Sequence, residues 1–332
     1  MPGSDRTLPQ VTWLALIIVY IAWGSTYVAI RVMDETVPPL IGGGIRFFCA
    51  GLAMYAFISW RRQGAPRVSV RELGSVALVG TLLLVGGNGL VIVAERHVPA
   101  GLTSLVIASV PLWLLLLRWL SRERPARATL AGVGVGFVGV ALLVFRGGPD
   151  QGVSIPHLLI VLGAAASWAV GSWASGRLPM PEDVGTSTAV EMLVGGVVLA
   201  LLGPVAGEHW STVATHASFK SLAAVAYLAV VGSVLAFTAY VWLLQHAPIS
   251  RVATYAYVNP VVAVLLGAIL LSERITLATV IGGAVIIASV AMVIRAEPQS
   301  DPDPVAEAVE APARHLEEPG GVGYAACGQG DA

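Results

Sequence analysis

Read for stretches free of Asp, Glu, Lys and Arg, the chain resolves into long apolar runs at 11–30, 73–94, 97–117, 128–145, 155–176, 221–250, 252–272 and 275–294. Two further runs, near 39–60 and 185–203, each carry one charge in an otherwise apolar stretch. A helix needs about 20 mostly apolar residues to cross about 30 Å of hydrocarbon, so each run predicts a membrane-spanning helix. Ten helices follow, joined by short loops with turn formers such as Val37-Pro38-Pro39, Gln63-Gly64-Ala65-Pro66 and Gly147-Gly148-Pro149. No series of short alternating segments marks a membrane barrel. The predicted class is an all-α polytopic membrane protein.

Composition closes off the soluble alternatives. Charged residues make up 12% of the 332, about half the ~25% of a soluble domain. The hydrophobic fraction is 56% and the mean hydropathy +0.79, more apolar side chain than a water-soluble interior of this size can hide. A net charge of −1 leaves no phosphate-seeking excess, so no nucleic-acid partner is expected. Two cysteines, Cys49 and Cys327, make neither a disulfide framework nor a thiolate metal site. The histidines are scattered, with no pair four apart on one helix, so neither a metal nor another cofactor is expected. Gly132, Gly134 and Gly136 read as close helix packing rather than a nucleotide loop, since no strand precedes them and no Gly-Lys follows. Gly171-Ser172 lacks a nucleophile elbow, so the chain is not expected to be an enzyme.

Basic residues set the expected orientation. With the N-terminus inside, 13 of the 19 Lys and Arg, among them Arg61, Arg62, Arg67, Arg71, Arg118, Arg122 and Arg124, fall on the cytoplasmic side. Arg31, Arg96, Arg146, Lys220 and Arg274 fall opposite. This positive-inside bias predicts both termini in the cytoplasm of a multi-pass protein of the cell membrane. Residues 1–10 form a short cytoplasmic segment. Residues 296–332, rich in Pro, Glu, Ala and Gly, predict a disordered cytoplasmic tail with Cys327 as a free thiol.

The chain also repeats itself. A shift of 145 residues lays Trp23 on Trp168, Arg46 on Glu191, Gly51 on Gly196 and Gly87-Asn88 on Gly232-Ser233. At 149, His97-Val98-Pro99 meets His246-Ala247-Pro248 and Val110-Pro111 meets Asn259-Pro260; at 150, Thr129 and Gly132 meet Thr279 and Gly282. That order predicts two diverged five-helix units, 11–146 and 155–295. Because five is odd, the second unit must enter the membrane upside-down, with a pseudo-two-fold axis in the membrane plane.

The same residues carry a family resemblance. Trp23-Gly24-Ser25-Thr26-Tyr27, Gly44-Ile45-Arg46-Phe47, Gly87-Asn88-Gly89, Ala94-Glu95, Val98-Pro99-Ala100-Gly101, Val110-Pro111, Ser167-Trp168, Glu191-Met192, Gly232-Ser233 and Tyr255-Ala256-Tyr257-Val258-Asn259-Pro260 are similar to the EamA group of the drug/metabolite transporter superfamily, and within it to its YedA-type inner-membrane members. The resemblance runs from about Val11 to Ile294. It implies a ten-helix transporter of two EamA-type repeats around a central cavity, moving small metabolites or drugs, commonly outward.

Candidate residues follow from cost and position. A charge near mid-bilayer costs about 2.5–3.5 kcal/mol on insertion scales, so Arg46 and Glu191 should face the interior. They either staple the repeats together or act in transport, Arg46 attracting an anionic group and Glu191 carrying a proton. Pro111 and Pro260 break the helical ladder at matched places, as packing kinks or as hinges. Trp23, Tyr27, Trp168 and Ser172 form stripes four residues apart; Asn88 and Ser233 are equivalent polar positions; Ser109, Tyr255 and Asn259 flank the prolines. Those nine residues, with Arg46 and Glu191, are the expected substrate pathway, and Pro111 and Pro260 the candidate hinges. Glu95, at the end of its run, reads as a pore-mouth or solvated group. The expected activity is secondary-active transport of a small molecule, with the bilayer as surroundings and a homodimer admitted; a passive channel or a non-transporting interaction protein are the alternatives.

Overall fold

A computed structural model describes residues 7–122, 127–247, 252 and 254–296. The tail 297–332 with Cys327, and residues 1–6, lie outside the described residues. Eight helices are long and apolar enough to cross a membrane: α1 Gln10–Met33, α2 Pro39–Arg61, α3 Val70–Glu95, α4 Ala100–Leu120, α5 Thr129–Gln151, α6 Ile155–Ser175, α7 Val184–Val205 and α8 Phe219–Tyr240. Two shorter apolar helices complete the set, α9 Tyr255–Leu271 and α10 Leu277–Val293. A short helix, Trp210–His216, lies between α7 and α8. Among the described residues there is no strand.

Local chemistry explains where the helices begin. Ser69 and Glu72 form a capping box, Glu72 N–H donating to Ser69 Oγ at 3.2 Å and Ser69 N–H to Glu72 Oε2 at 2.7 Å, so α3 starts before its charge-free run at 73. Asp183 accepts from Thr186 N–H at 2.8 Å and Ser218 from Ser221 N–H at 3.1 Å, capping α7 and α8. Pro38-Pro39 and Pro99 open α2 and α4, where a missing N–H costs nothing. The long run 221–250 is not one helix to its end. Helical structure stops at His246, and Ala247 is extended.

Alternate turns gather at one end of the bundle. There Thr36 bonds to Ser218, Glu208 reaches the N-terminus of α2, Glu273 that of α4, and Gln151 donates to Thr279. At the other end Arg62 of the α2–α3 turn lies 3.4 Å from Asp183 before α7. Large apolar side chains such as Leu14, Ile17, Ile21, Leu201, Val205 and Ile269 point outward, as expected where lipid replaces water.

Inside, small residues let backbones touch. A methyl added at Gly51 on α2 would lie 2.8 Å from the Ala189 oxygen and 2.8 Å from the Leu193 nitrogen of α7. One added at Gly196 on α7 would press on the Phe48 nitrogen and lie 3.0 Å from the Gly44 oxygen of α2. The pairing of α5 and α10 is of the same kind. Gly136 faces Ser289, Gly139 faces Ile286, Gly132 faces Val293 and Gly282 faces Leu143.

Three spans contain stretches that depart from α-helical winding. Thr81–Gly89 of α3, Leu143–Gly147 of α5 and Leu228–Leu235 of α8 are π-helical, a winding that concentrates at functional sites. Helix α4 is interrupted at Ala108 and Ser109, just before Pro111. Pro260 differs: it lies inside α9 as its sixth residue, and the helix runs through it.

Candidate functional site

Helix α1 lays a polar stripe along one face. Tyr20, Trp23, Tyr27, Arg31 and Asp34 are spaced by three or four residues, so they stack on one side over about 21 Å of axis. Tyr20 hydrogen-bonds Thr254 at the start of α9. One turn on, Trp23 sits in an aromatic box. Its ring centroid is 5.1 Å from both Tyr240 and Tyr255 and 6.5 Å from Phe237. Its Nε1–H donates to the Gly232 carbonyl of the α8 π-helix at 3.2 Å.

Beside Gly232 stands Ser233, whose Oγ accepts from Arg46 Nε at 3.2 Å. Arg46 is 4% exposed, lies over the Phe47 ring at 4.5 Å, and leaves Nη1 with no partner. Trp23, Tyr255, Arg46 and Ser233 thus converge on one stretch of α8. Asn259, 9% exposed on α9, leaves its Oδ1 unpartnered. A buried amide oxygen without a donor is costly, so it marks a place where a hydrogen-bonding guest would be stabilised.

Related geometry recurs where α6 meets α3. Trp168 on α6 packs on Gly87 of the α3 π-helix, where an added methyl would lie 2.7 Å from the indole. Ser167 Oγ donates to the Leu82 carbonyl at 2.8 Å. Asn88 donates to the Leu83 carbonyl of its own helix at 3.4 Å, and Ser109 is buried and bonded to the Val106 carbonyl at 2.6 Å. Ser172 is half-buried on α6, one turn past Trp168.

Arg46 and Glu191 do not meet as an ion pair. Glu191, half-buried on α7, accepts from Ser187 Oγ at 3.0 Å one turn earlier on the same helix. Each charge has found a serine instead of the other charge.

Sequence reasoning missed the charges at the far end of the stripe. Glu95 is neither at a mouth nor solvated: it is 0% exposed, and neither carboxylate oxygen has a partner. Arg31 donates to its backbone carbonyl. Asp34 is half-buried as a residue, yet both its carboxylate oxygens are shielded and unpartnered. That burial, with Glu208 adding to it and Arg96 and Arg31 opposing, raises its carboxyl to about 8. Glu208 and Glu273 accept paired backbone N–H groups, from Leu40 and Ile41 at 3.0 and 2.9 Å and from Ala100 and Gly101 at 2.7 and 3.0 Å. The spacing on α1 was a readable signal for Arg31 and Asp34. For Glu95 there was none, because the last residue of an apolar run looks the same buried or wet. Among the described residues, no group of three or more His, Cys, Asp or Glu could hold a metal ion.

Known proteins resemble this chain over most of its length. The model of the EamA-like transporter family matches residues 11–145 and again 155–295. The chain is 40% identical over 254 residues to the uncharacterized inner membrane transporter YedA of Escherichia coli K12, covering 76% of this chain and 80% of that one. It is 26% identical over 282 residues to a probable amino-acid metabolite efflux pump of Salmonella typhimurium, covering 83% and 92%. A solved crystal structure shares the fold with a TM-score of 0.57 at 21% identity, over 86% of this chain and 97% of that chain.

Proposed function

The chain belongs to the EamA-like transporter family, and on that premise we propose that it is a secondary-active carrier of the cytoplasmic membrane, exporting small metabolites or drugs by alternating access in exchange for protons. Two five-helix repeats, 11–146 and 155–295, are inverted relative to each other and rock about a site between them.

One observation carries this reading. Under the repeat's own shift of 145, Gly51 against Ala189 and Leu193 becomes Gly196 against Gly44 and Phe48, and both sets of contacts occur. Under the shift of 150, Gly136 with Ser289 becomes Ile286 with Gly139, and Gly132 with Val293 becomes Gly282 with Leu143; these occur too. Contacts that swap partners are what a two-fold axis leaves behind. The contacts run in opposite senses along the two helices, Gly51 meeting Ala189 and Leu193 while the earlier Gly44 and Phe48 meet the later Gly196. The axis therefore lies across α2 and α7 rather than along them, which supports inverted repeats rather than parallel ones.

The roles follow from that axis. Trp23, Tyr27, Tyr255, Asn259, Arg46 and Ser233 form one wall of the pathway, and Trp168, Ser172, Asn88, Ser109 and Glu191 the other. Arg46 offers its free Nη1 to an anionic group, and Pro111 and Pro260 serve as hinges. The positive-inside bias puts both termini in the cytoplasm. An aromatic box beside a guanidinium suits small amphipathic solutes, and a relative described as an amino-acid metabolite efflux pump points the same way.

Proteoliposomes loaded with a defined mixture of the twenty amino acids test the proposal. Release under an acidic exterior should outpace release at symmetric pH, and unlabelled solute outside should drive counterflow. Release no faster than from protein-free vesicles overturns transport of this class; release indifferent to the pH gradient and without counterflow makes the protein a passive facilitator.

A further inference from the structure

We propose that Glu95 is the exchange site of this carrier, a carboxylate that holds either one proton or one organic ammonium group and never both. The inference rests on the carrier reading above and names the group that would couple the two fluxes.

The geometry poses a problem that only a cation solves. Glu95 ends α3 with no exposure and with both oxygens unpartnered. An anion so placed is costly unless a proton or a positive group reaches it. Neither nearby guanidinium is spent on it: Arg31 donates to the Glu95 backbone carbonyl, and Arg46 Nε to Ser233. The charges acting on Glu95 are Asp34, Arg31, Glu273 and Arg46, with Tyr27 also in electrostatic range. Arg96 and Glu208 act on Asp34 in turn, and Asp34, its carboxyl raised to about 8, keeps its own proton at neutral pH, so the carboxylate left without a bound partner is Glu95 itself. A single proton or a single monocation supplies that partner.

An organic ammonium fits better than a metal ion. A divalent cation asks for six or more oxygens, whereas Glu273 is already engaged by the backbone N–H groups of Ala100 and Gly101. Along the same face of α1, one turn beyond Tyr27, stands Trp23 with Tyr240 and Tyr255. Aromatic faces attract alkylammonium ions and shelter an apolar tail. Exclusive occupancy is also what exchange requires: an ammonium leaving Glu95 must be replaced by a proton before the pocket can turn back empty.

Dicyclohexylcarbodiimide, which attacks protonated carboxyls in apolar surroundings, tests this on the purified full-length protein. Mass spectrometry should find the adduct on Glu95, and phenylethylammonium should suppress it at least about fivefold by competing for the same oxygens. Sodium chloride and phenylpropionate should not. Adding phenylethylammonium to weakly buffered protein should release about one proton per chain, a release lost in Glu95→Gln and kept in the surface variant Glu35→Gln. No adduct on Glu95, an adduct there indifferent to the amine, or equal protection by sodium overturns the proposal, and the labelling needs no variant that must first fold. The amino-acid counterflow assay on the same preparation separates the two readings. Counterflow without protection at Glu95 sinks the exchange site alone; protection without counterflow or pH-driven release sinks the carrier reading and leaves a binding site.

Discussion

Replacing Gly196 by alanine tests the contact on which the inverted repeat depends. The added methyl on α7 meets backbone on every side, pressing on the Phe48 nitrogen and lying 2.9 Å from Phe48 Cα and 3.0 Å from the Gly44 oxygen. Backbone cannot rotate away as a side chain can, so α2 and α7 must separate by several tenths of an ångström. Overpacking of this kind costs about 1–3 kcal/mol, and three simultaneous contacts put Gly196→Ala near the upper end. Alanine gains up to about 1 kcal/mol of helix propensity, leaving a net loss of about 2 kcal/mol. Gly51→Ala, its partner under the two-fold relation, should lose a similar amount against the Ala189 oxygen and Leu193 nitrogen. Gly134→Ala on α5 is the control. Nothing lies within 4 Å of its added methyl, so it should be neutral or slightly stabilising. Unfolding in dodecylmaltoside micelles titrated with sodium dodecyl sulfate, followed by tryptophan fluorescence, reads all three. The double variant Gly51→Ala/Gly196→Ala should lose less than the sum of the singles, because one separation relieves both sites. If Gly196→Ala unfolds with the wild type while Gly51→Ala does not, the crossing is not two-fold and the inverted repeat loses its support.

Two further outcomes are expected. Asp34 holds its proton more tightly folded than unfolded, its carboxyl raised to about 8 by burial; its contribution to stability is therefore complete in acid and lost as pH climbs from about 4 through 8. Asp34→Asn should flatten the fall of melting temperature over that window, and an unchanged pH profile would refute the shift. Ser233→Ala removes the hydrogen bond that Arg46 Nε makes, leaving a buried guanidinium with less compensation at a cost of about 1–3 kcal/mol. An unfolding midpoint equal to wild type would show that Arg46 finds another acceptor.

How far the chain alone could be read depends on which physical quantity each feature expresses. Burial against lipid needs only a run of apolar residues, so the helical class and the approximate spans were legible from composition and length. Helix boundaries were less so. The Ser69–Glu72 box adds a turn before α3, and the run 221–250 breaks near His246 because charge-free sequence does not oblige the backbone to stay helical. Pairing of charges was not legible at all. Arg46 and Glu191 share a register in their repeats, yet each is bound to a nearby serine, since side-chain partners depend on rotation about helix axes that periodicity leaves free.

By itself the sequence determined the membrane class and the family, whose model matches the chain twice, because these depend on the order and polarity of residues along one dimension. Tertiary structure alone decided that α2 meets α7 backbone to backbone, that the Trp23 indole donates to the Gly232 carbonyl, and that Glu95 is sealed away with two unpartnered oxygens. Those facts follow from how helices far apart in the chain are packed, and the free energy of a buried charge is set by what surrounds it in space rather than by its neighbours in sequence.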